Sequence, residues 1–457
     1  MAGGLGNIFK VAELKKRILF TLGMLAVYRL GVFVPSPGIN AKALANLFNN
    51  NEATNSLFGM ANMFSGGALE NFSIFTLGIM PYITMSILVQ FLTPLIPQLQ
   101  ALKKEGAAGH RILTRYTRYG TMILALIQSF IIARGLEASN LLLAQAAGVQ
   151  FYVTTMLTLT AGTAFIMWLG EQITERGIGN GMSVIIFAGI VARMPQAFYQ
   201  TYQAASEGGT GVTWFSVLVM VAVTIAIVGC IVYVERSQRR IPLQYPRSER
   251  MMAKELGPQP YLPFKVNSAG VIPPIFASAM ISLVMVALHF LNTHYEGVGW
   301  IDDISANISR GQVVYMVVFV ALIFIFAYYY VSVITNPVEI AENLKKNGAF
   351  IPTVRPGKQT ADYLYGILTR LTFWGAIYIS LVCIVPDVVY RYLNLPQISY
   401  VFGGTAVLIA VGVTLDTASQ IQSIMMASHY EAFMAKSASG KGIAGPFRGT
   451  RTRILRR

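Results

Sequence analysis

The stretch that decides the fold is SLFGMANMFSGGALENFSIFTLGIMPYITMSIL, residues 56–88. Its second half is an apolar run that can cross a membrane. Its first half is rich in Met and Phe, contains Gly66-Gly67, and is too polar and too short to cross. The side of the membrane on which this half-apolar segment lies determines what it can do.

The composition of the whole chain is that of a membrane protein. The 457 residues are 54% hydrophobic and 12% charged, whereas a soluble domain has roughly 25% charged residues. Apolar runs near the length of a bilayer-crossing helix recur along the chain without the alternation of a barrel strand, so an all-α membrane protein with ten transmembrane helices is expected. The predicted spans are residues 18–34, 73–95, 117–134, 151–170, 182–194, 213–233, 270–291, 312–334, 368–386 and 399–416.

Basic residues distinguish the two sides of the membrane. With a cytoplasmic N-terminus, most of the 35 Lys and Arg residues fall in cytoplasmic segments, which is the positive-inside pattern. The opposite side holds only Arg29, Lys42, Arg134, Arg193, Arg310 and Arg391. Both termini are therefore predicted to be cytoplasmic, and residues 35–71, with the Met/Phe segment, are predicted to lie at the external mouth.

The chain divides into two halves of five spans each, residues 1–195 and 196–435, followed by a basic tail, residues 436–457. An odd number of spans per half gives the halves opposite orientations. The second span of each half has proline near its start, Pro81 in one and Pro273-Pro274 in the other. Interrupted helices at matching positions indicate a functional path, although proline is also common in membrane helices generally.

Groups that could perform chemistry are sparse within the spans. Glu171 and Asp416 lie at span ends, and His289 is a lone histidine in an apolar run. The two cysteines lie in apolar runs, and no catalytic or nucleotide-binding motif occurs. We therefore expect neither an enzyme nor a cofactor or metal site, but a pathway whose substrate needs no binding charge.

Branched apolar residues are candidates for a constriction in that pathway. Ile79, Ile83 and Ile87 recur every four residues on one face of the second span. Other spans contribute Ile186, Ile275 and Ile409. A ring of such side chains can exclude water from a narrow pore and grips no substrate strongly. The alternative is that these isoleucines face lipid or pack against other helices.

Two predicted cytoplasmic loops, residues 235–269 and 335–367, are longer than the topology requires. Both combine Arg and Lys with Pro, Gly and Tyr. Their composition favours rigid, protruding hairpins that dock a large partner carrying phosphates or acidic patches, although basic flanks are also ordinary for cytoplasmic loops. The tail can contact RNA or anionic lipid.

Several segments together resemble the bacterial-type SecY family, the central subunit of the general protein-secretion channel. They include NMFSGGAL, FSIFTLGIMPYI, MWLGEQITERGIGNGMSVIIFAGI, VYVERSQRRIP, KVNSAGVIPPIFASA, NPVEIAENLKKNGAFIPTVRPGKQT and MASHYEAFM. They are spread over essentially the whole chain in the family's order. The resemblance implies two inverted five-helix halves that form a clamshell around an hourglass pore.

The resemblance also implies roles for particular residues. The pore ring would be formed by Ile79, Ile83, Met182, Ile186, Ile275 and Ile409, where Met182 occupies a position that is often isoleucine. A re-entrant plug helix around residues 57–70 would include Met60, Met63, Phe64, Ser65, Gly66 and Gly67. The lateral gate into lipid would place Thr84 opposite Leu283.

Partners are implied in the same way. Arg239, Arg240 and Arg355 would dock the motor ATPase SecA or the ribosome. SecE and SecG would complete a heterotrimer that acts on signal sequences and unfolded polypeptides in the bacterial cytoplasmic (inner) membrane. A different function remains open from the residues alone, a secondary transporter of a small amphiphilic substrate. An intramembrane hydrolase would need a nucleophile and base that the sequence does not offer, and a scaffold without transport would not need the docking loops.

Overall fold

The structure, a computed structural model, describes most of the chain and leaves both termini and several connections undescribed. The described residues are 12–39, 62, 65–138, 148–207, 213–244, 260–294, 304, 307, 312–393 and 403–438.

Helices dominate the described chain. Those before the first basic loop are α1 (Ala12–Val32), α2 (Met80–Leu95), α3 (Pro97–Lys104), α4 (Ala107–Ala138), α5 (Val149–Arg176), α6 (Gly181–Glu207) and α7 (Trp214–Arg236). Two antiparallel strands follow, β1 (Gln238–Pro242) and β2 (Tyr261–Lys265). The remaining helices are α8 (Ile272–His294), α9 (Val313–Ile334), α10 (Pro337–Lys346), α11 (Lys358–Tyr392) and α12 (Gly404–Ala438).

The all-α membrane fold predicted from the sequence is confirmed. Each predicted span overlaps a helix, in the order α1, α2, α4, α5, α6, α7, α8, α9, α11 and α12. Within the described residues, seven helices are long and apolar enough to cross a bilayer, and the bent pair α2–α3 would make an eighth. Helices α1 and α8 have 21 and 23 residues, but α1 begins with several charged side chains.

The outer surface of the helices is apolar, as a bilayer requires. Large side chains such as Leu30, Phe215, Leu218, Ile225 and Val317 are each at least 63% exposed. Contiguous apolar surface of this kind is rare on soluble monomers. In a membrane it contacts lipid, while the helices satisfy their own backbone groups.

The second span starts later than the sequence predicts. It was expected from residue 73, but α2 begins at Met80, and residues 65–79, here termed the turn segment, form turns. Phe72 (φ 40°) and Gly78 (φ 55°) adopt left-handed conformations that end any helix. The backbone of this segment also pairs with the chain after α1, where Ile74 N donates to Val34 O at 3.0 Å.

The prolines near the start of the second span of each half begin helices instead of interrupting them, which corrects the expectation of broken spans. Pro81 lies in the first turn of α2, and Pro273-Pro274 lie in the first turn of α8, where the missing N–H donor has no intrahelical partner to lose. The real break is at Ile96, which is extended (φ −102°, ψ 115°) because Pro97 follows it. There α2 and α3 meet at a bend of 98°.

The buried core joins helices from both ends of the chain. A central cluster contains buried residues of α1, α5, α6, α8, α12 and the turn segment, for example Tyr28, Ile166, Ile190, Ile275 and Ile409. A second cluster joins α7, α8, α9, α11 and α12. Because α8 and α12 contribute to both clusters, the first and last helices of the chain share one apolar interior.

Candidate functional site

The six residues predicted to form a ring come together in the central cluster. Four of them are buried and two are partly buried against the others: Ile79, Ile186, Ile275, Ile409, Ile83 and Met182. They come from α2 with its preceding residue, α6, α8 and α12, which are far apart in the sequence. Ile79 and Ile409 are each only 1% exposed, so the cluster is closed.

The starts of α2 and α8 bring three of these side chains to the centre. Ile79 caps the N-terminus of α2, and Ile83 follows one turn later, with its N–H donating to Ile79 O at 3.1 Å. Ile275 lies in the first turn of α8, directly after the proline pair. Ile87 departs from the expected stripe, because it packs on the second cluster instead. The periodic face of α2 therefore serves two different cores.

The described part of the predicted plug lies against this cluster. Ala68 is fully buried within it, and Phe75 stacks on Tyr28 with ring centroids 5.9 Å apart. Gly66 (φ 67°) and Gly67 (φ 92°) are left-handed, so residues 65–70 form turns and the predicted plug helix does not extend through them. Asn62 is helical, whereas the predicted residues Met60, Met63 and Phe64 lie outside the described residues.

Polar side chains from two helices hold the turn segment in place. Tyr28 Oη donates to Ser65 O at 3.0 Å, and Arg29 Nη1 donates to Gly66 O at 2.9 Å. Arg193 of α6 pairs with Glu70, with 2.7 Å between Nη2 and Oε2. No sequence pattern marks Tyr28 or Glu70, whereas the arginines were visible as lone charges at the edges of apolar spans.

The two residues predicted to form a lateral gate belong to α2 and α8. Thr84 is partly buried in α2, and its hydroxyl donates to Met80 O of the same helix at 2.9 Å. Leu283 belongs to α8, but its side chain lies outside the described part of the structure. Phe91 of α2 also contacts Tyr329 of α9. Their ring centroids are 3.7 Å apart, and Tyr329 Oη donates to Phe91 O at 2.9 Å.

The two basic loops form one packed unit, although they are separated in sequence. Strands β1 and β2 make the stem of the first loop, with Arg239 paired to Phe264. Gln244 and Phe350 exchange backbone hydrogen bonds of 2.9 and 3.0 Å, which join the first loop to the second. Ile241, Phe264 and Ile351 are buried in a shared cluster beneath them.

The arginines expected to dock a partner lie on the surface of this unit. Arg239 and Arg240 are exposed on β1, and the Arg240 guanidinium lies 4.7 Å from the centroid of the Tyr261 ring. Arg355 is exposed in the turn before α11, where its carbonyl accepts a hydrogen bond from Thr360. The three arginine side chains are thus exposed on a unit whose backbone is joined by strand pairing and by the Gln244–Phe350 hydrogen bonds.

These features define the class of the molecule. It is a polytopic helical membrane protein in which helices from both ends of the chain meet at a closed apolar cluster, with a basic, packed unit of loops outside the spans. Comparison with known proteins identifies the family within this class.

A family model described as SecY matches residues 73–418. Protein translocase subunit SecY of Escherichia coli (strain K12) is 45% identical over 438 residues, covering 95% of this chain and 96% of that protein. The SecY subunit of Pseudomonas aeruginosa is 44% identical over 427 residues, covering 93% and 94%. A solved structure of a protein-conducting channel shares the fold at a TM-score of 0.61 and 18% identity, covering 90% of this chain and 92% of that one. The chain belongs to the SecY family.

Proposed function

We propose that this chain is the channel-forming subunit of a protein translocase, through which unfolded secretory polypeptides cross the membrane. The observation that carries the proposal is the meeting of Ile79, Ile186, Ile275 and Ile409 in one closed cluster at the convergence of separate helices. A narrow apolar neck sheds water and so blocks ions. It also binds no particular sequence, which suits a channel for chains of every composition.

Both the neck and the plug contribute to the seal of the closed channel. In the proposal, Ile79, Ile83, Met182, Ile186, Ile275 and Ile409 form the ring, and Ser65, Gly66 and Gly67 belong to the plug that lies against it. Met60, Met63 and Phe64 complete the plug. The chain performs no chemistry itself, so a motor or an elongating ribosome supplies the work.

Apolar segments leave sideways into lipid in this mechanism. The exit runs along the seam between α2 and helices α8 and α9, past Thr84 and Leu283. In the described residues, Tyr329 Oη of α9 donates to Phe91 O of α2 across this seam. Lys103 Nζ of α3, the helix after α2, also donates to Val333 O of α9 at 3.3 Å. Aromatic contacts, such as that between the Phe91 and Tyr329 rings, can be replaced by contacts with the apolar face of a signal sequence or with lipid.

The basic unit of loops is the docking surface for the driving partner. Arg239, Arg240 and Arg355 would bind SecA or the ribosome through acidic groups or phosphates. We also propose that the chain assembles with SecE and SecG. The distribution of basic residues supports insertion in a bacterial inner membrane with both termini cytoplasmic, and with residues 1–195 and 196–435 as the two halves and 436–457 as the tail.

Reconstitution tests this function against the alternative. Vesicles containing the chain with its SecE and SecG partners should translocate a presecretory protein when SecA and ATP are added. A secondary transporter of a small amphiphile would instead show saturable uptake by the chain alone and no dependence on SecA. Absence of translocation from a stably assembled complex would refute the channel.

A further inference from the structure

Two arginines from different helices converge on the turn segment. Arg29, near the end of α1, donates to Gly66 O at 2.9 Å, and its guanidinium also lies 5.5 Å from the Phe33 ring centroid. Arg193, from α6, pairs with Glu70 at 2.7 Å. Of these two contacts, only the second is between two ionised side chains, and so it depends on the charge of a residue in the turn segment.

Glu70 is held in place by its own segment. Its carboxylate accepts from Asn62 Nδ2 at 3.4 Å, and its backbone N–H donates to Asn62 Oδ1 at 3.2 Å. Asn62 O in turn accepts from Gly67 N at 2.9 Å and from Ser65 Oγ at 3.2 Å. These bonds connect Glu70, through Asn62, to both ends of the double-glycine turn. A force on the Glu70 carboxylate therefore acts on the whole segment.

The turn segment also packs closely against α6, the helix that carries Arg193. The segment approaches α6 so tightly that a Cβ on Gly66 would lie 2.9 Å from Gly189 Cα, one turn before Arg193. The side chain of Arg193 is 19% exposed and that of Glu70 is 33% exposed, so water reaches the pair only in part. A half-buried pair resists the loss of either partner more strongly than a surface pair does, because the remaining charge is left incompletely solvated.

We propose that Glu70 and Arg193 form a latch that holds the plug against the neck and sets the strength of signal needed to open the channel. This inference rests on the proposed function. The two residues are positioning residues, because they act on the seal through the turn segment. Opening must break the pair and hydrate both charges, while the Tyr28 and Arg29 contacts, which go to backbone carbonyls, would survive any side-chain substitution in the segment.

The test measures resting ion conductance of vesicles that contain the complete complex. Glu70→Gln and Arg193→Gln should each raise the potassium leak by about tenfold, the effect of losing roughly 1.4 kcal/mol from the closed state. Both should also allow export of a substrate with a weakened signal sequence. The double charge reversal, Glu70→Arg with Arg193→Glu, should restore most of the seal. Glu175→Gln, an exposed glutamate at the end of α5, is the matched control and should leave the leak unchanged.

Three outcomes separate the possibilities. A leak at the wild-type level in both single variants overturns the latch, and so does a charge reversal that leaks as much as the single variants. If a single variant fails to accumulate, the charge-reversed protein alone decides: a leak and a rejection of the weakened signal sequence that match the wild type support the latch, and a raised leak overturns it. Translocation by the wild-type complex in the same vesicles is the independent check on the proposed function, so its failure is distinguishable from failure of the latch.

Discussion

Replacing one ring residue by a polar side chain should open the closed channel at rest. Ile275 is 9% exposed in the first turn of α8 and packs in the central cluster. Burial of an isoleucine side chain contributes about 1.5–3 kcal/mol, and an amide without a hydrogen-bond partner costs about 1–3 kcal/mol. Ile275→Asn removes the first contribution and adds the second cost.

The sum sets the size of the effect. Each 1.4 kcal/mol corresponds to about a factor of ten in an equilibrium. The lower ends of the two ranges add to about 2.5 kcal/mol, so the closed state should lose at least about 60-fold in population relative to open, hydrated states. The amide is unpaired only while the neck is dry, and water that enters relieves this cost. The substitution therefore favours the wetted neck over the dry one.

Single-channel recording in planar bilayers is the assay, together with export of a substrate that carries a weakened signal sequence. Ile275→Asn should raise both resting conductance and export. Ile275→Leu keeps an apolar side chain of equal volume and should behave as the wild type. Ile231→Asn introduces the same change in the second cluster, where it should lower stability without a leak. An assembled Ile275→Asn channel that is as tight as the wild type would refute the neck.

The remaining predictions concern docking, the gate and packing. Arg355→Glu should abolish SecA-driven translocation in a folded protein, whereas Lys358→Glu, at an exposed position nearby, should weaken translocation less. Equal translocation by the two variants in the vesicle assay would exclude a docking role of Arg355. Tyr329→Phe removes a hydrogen bond worth about 1 kcal/mol across the α2–α9 seam. Photocrosslinking of a signal sequence at the seam should therefore rise about fivefold. An unchanged crosslinking yield would count against this gate. Gly162→Ala places a Cβ onto the carbonyl of Ile74 and should lower the midpoint of thermal unfolding, whereas Gly23→Ala, with open space around it, should not; equal midpoints would contradict this packing.

The turn segment illustrates where sequence reasoning stops. Residues 73–79 are apolar enough to be counted in the second span, yet they form turns. Their conformation depends on hydrogen bonds to residues 34 and 36 after α1, for example from Ser36 N to Phe72 O at 2.8 Å. A hydropathy pattern records only the transfer preference of each side chain, so it cannot distinguish a helix from an equally apolar segment that pairs elsewhere.

The prolines and Ile87 make the same point. Proline predicts a lost backbone hydrogen bond, but whether it breaks a helix or begins one depends on where the first turn lies. Pro81 begins α2, while the chain bends at Ile96 before Pro97. Ile87 shares a periodic face with Ile79 and Ile83, yet helix packing assigns it to the second cluster.

The sequence by itself determined the all-α membrane fold and the approximate places of the spans, because long apolar runs must become helices in lipid. It named the central isoleucines only as candidates, because the same pattern also fits residues that face lipid or pack elsewhere. Tertiary structure alone decided that the basic loops join through Gln244 and Phe350, and that Glu70 reaches Arg193 across 123 positions of the chain. Such contacts depend on the distance between atoms brought together by helix packing, and no local pattern of residues carries that information.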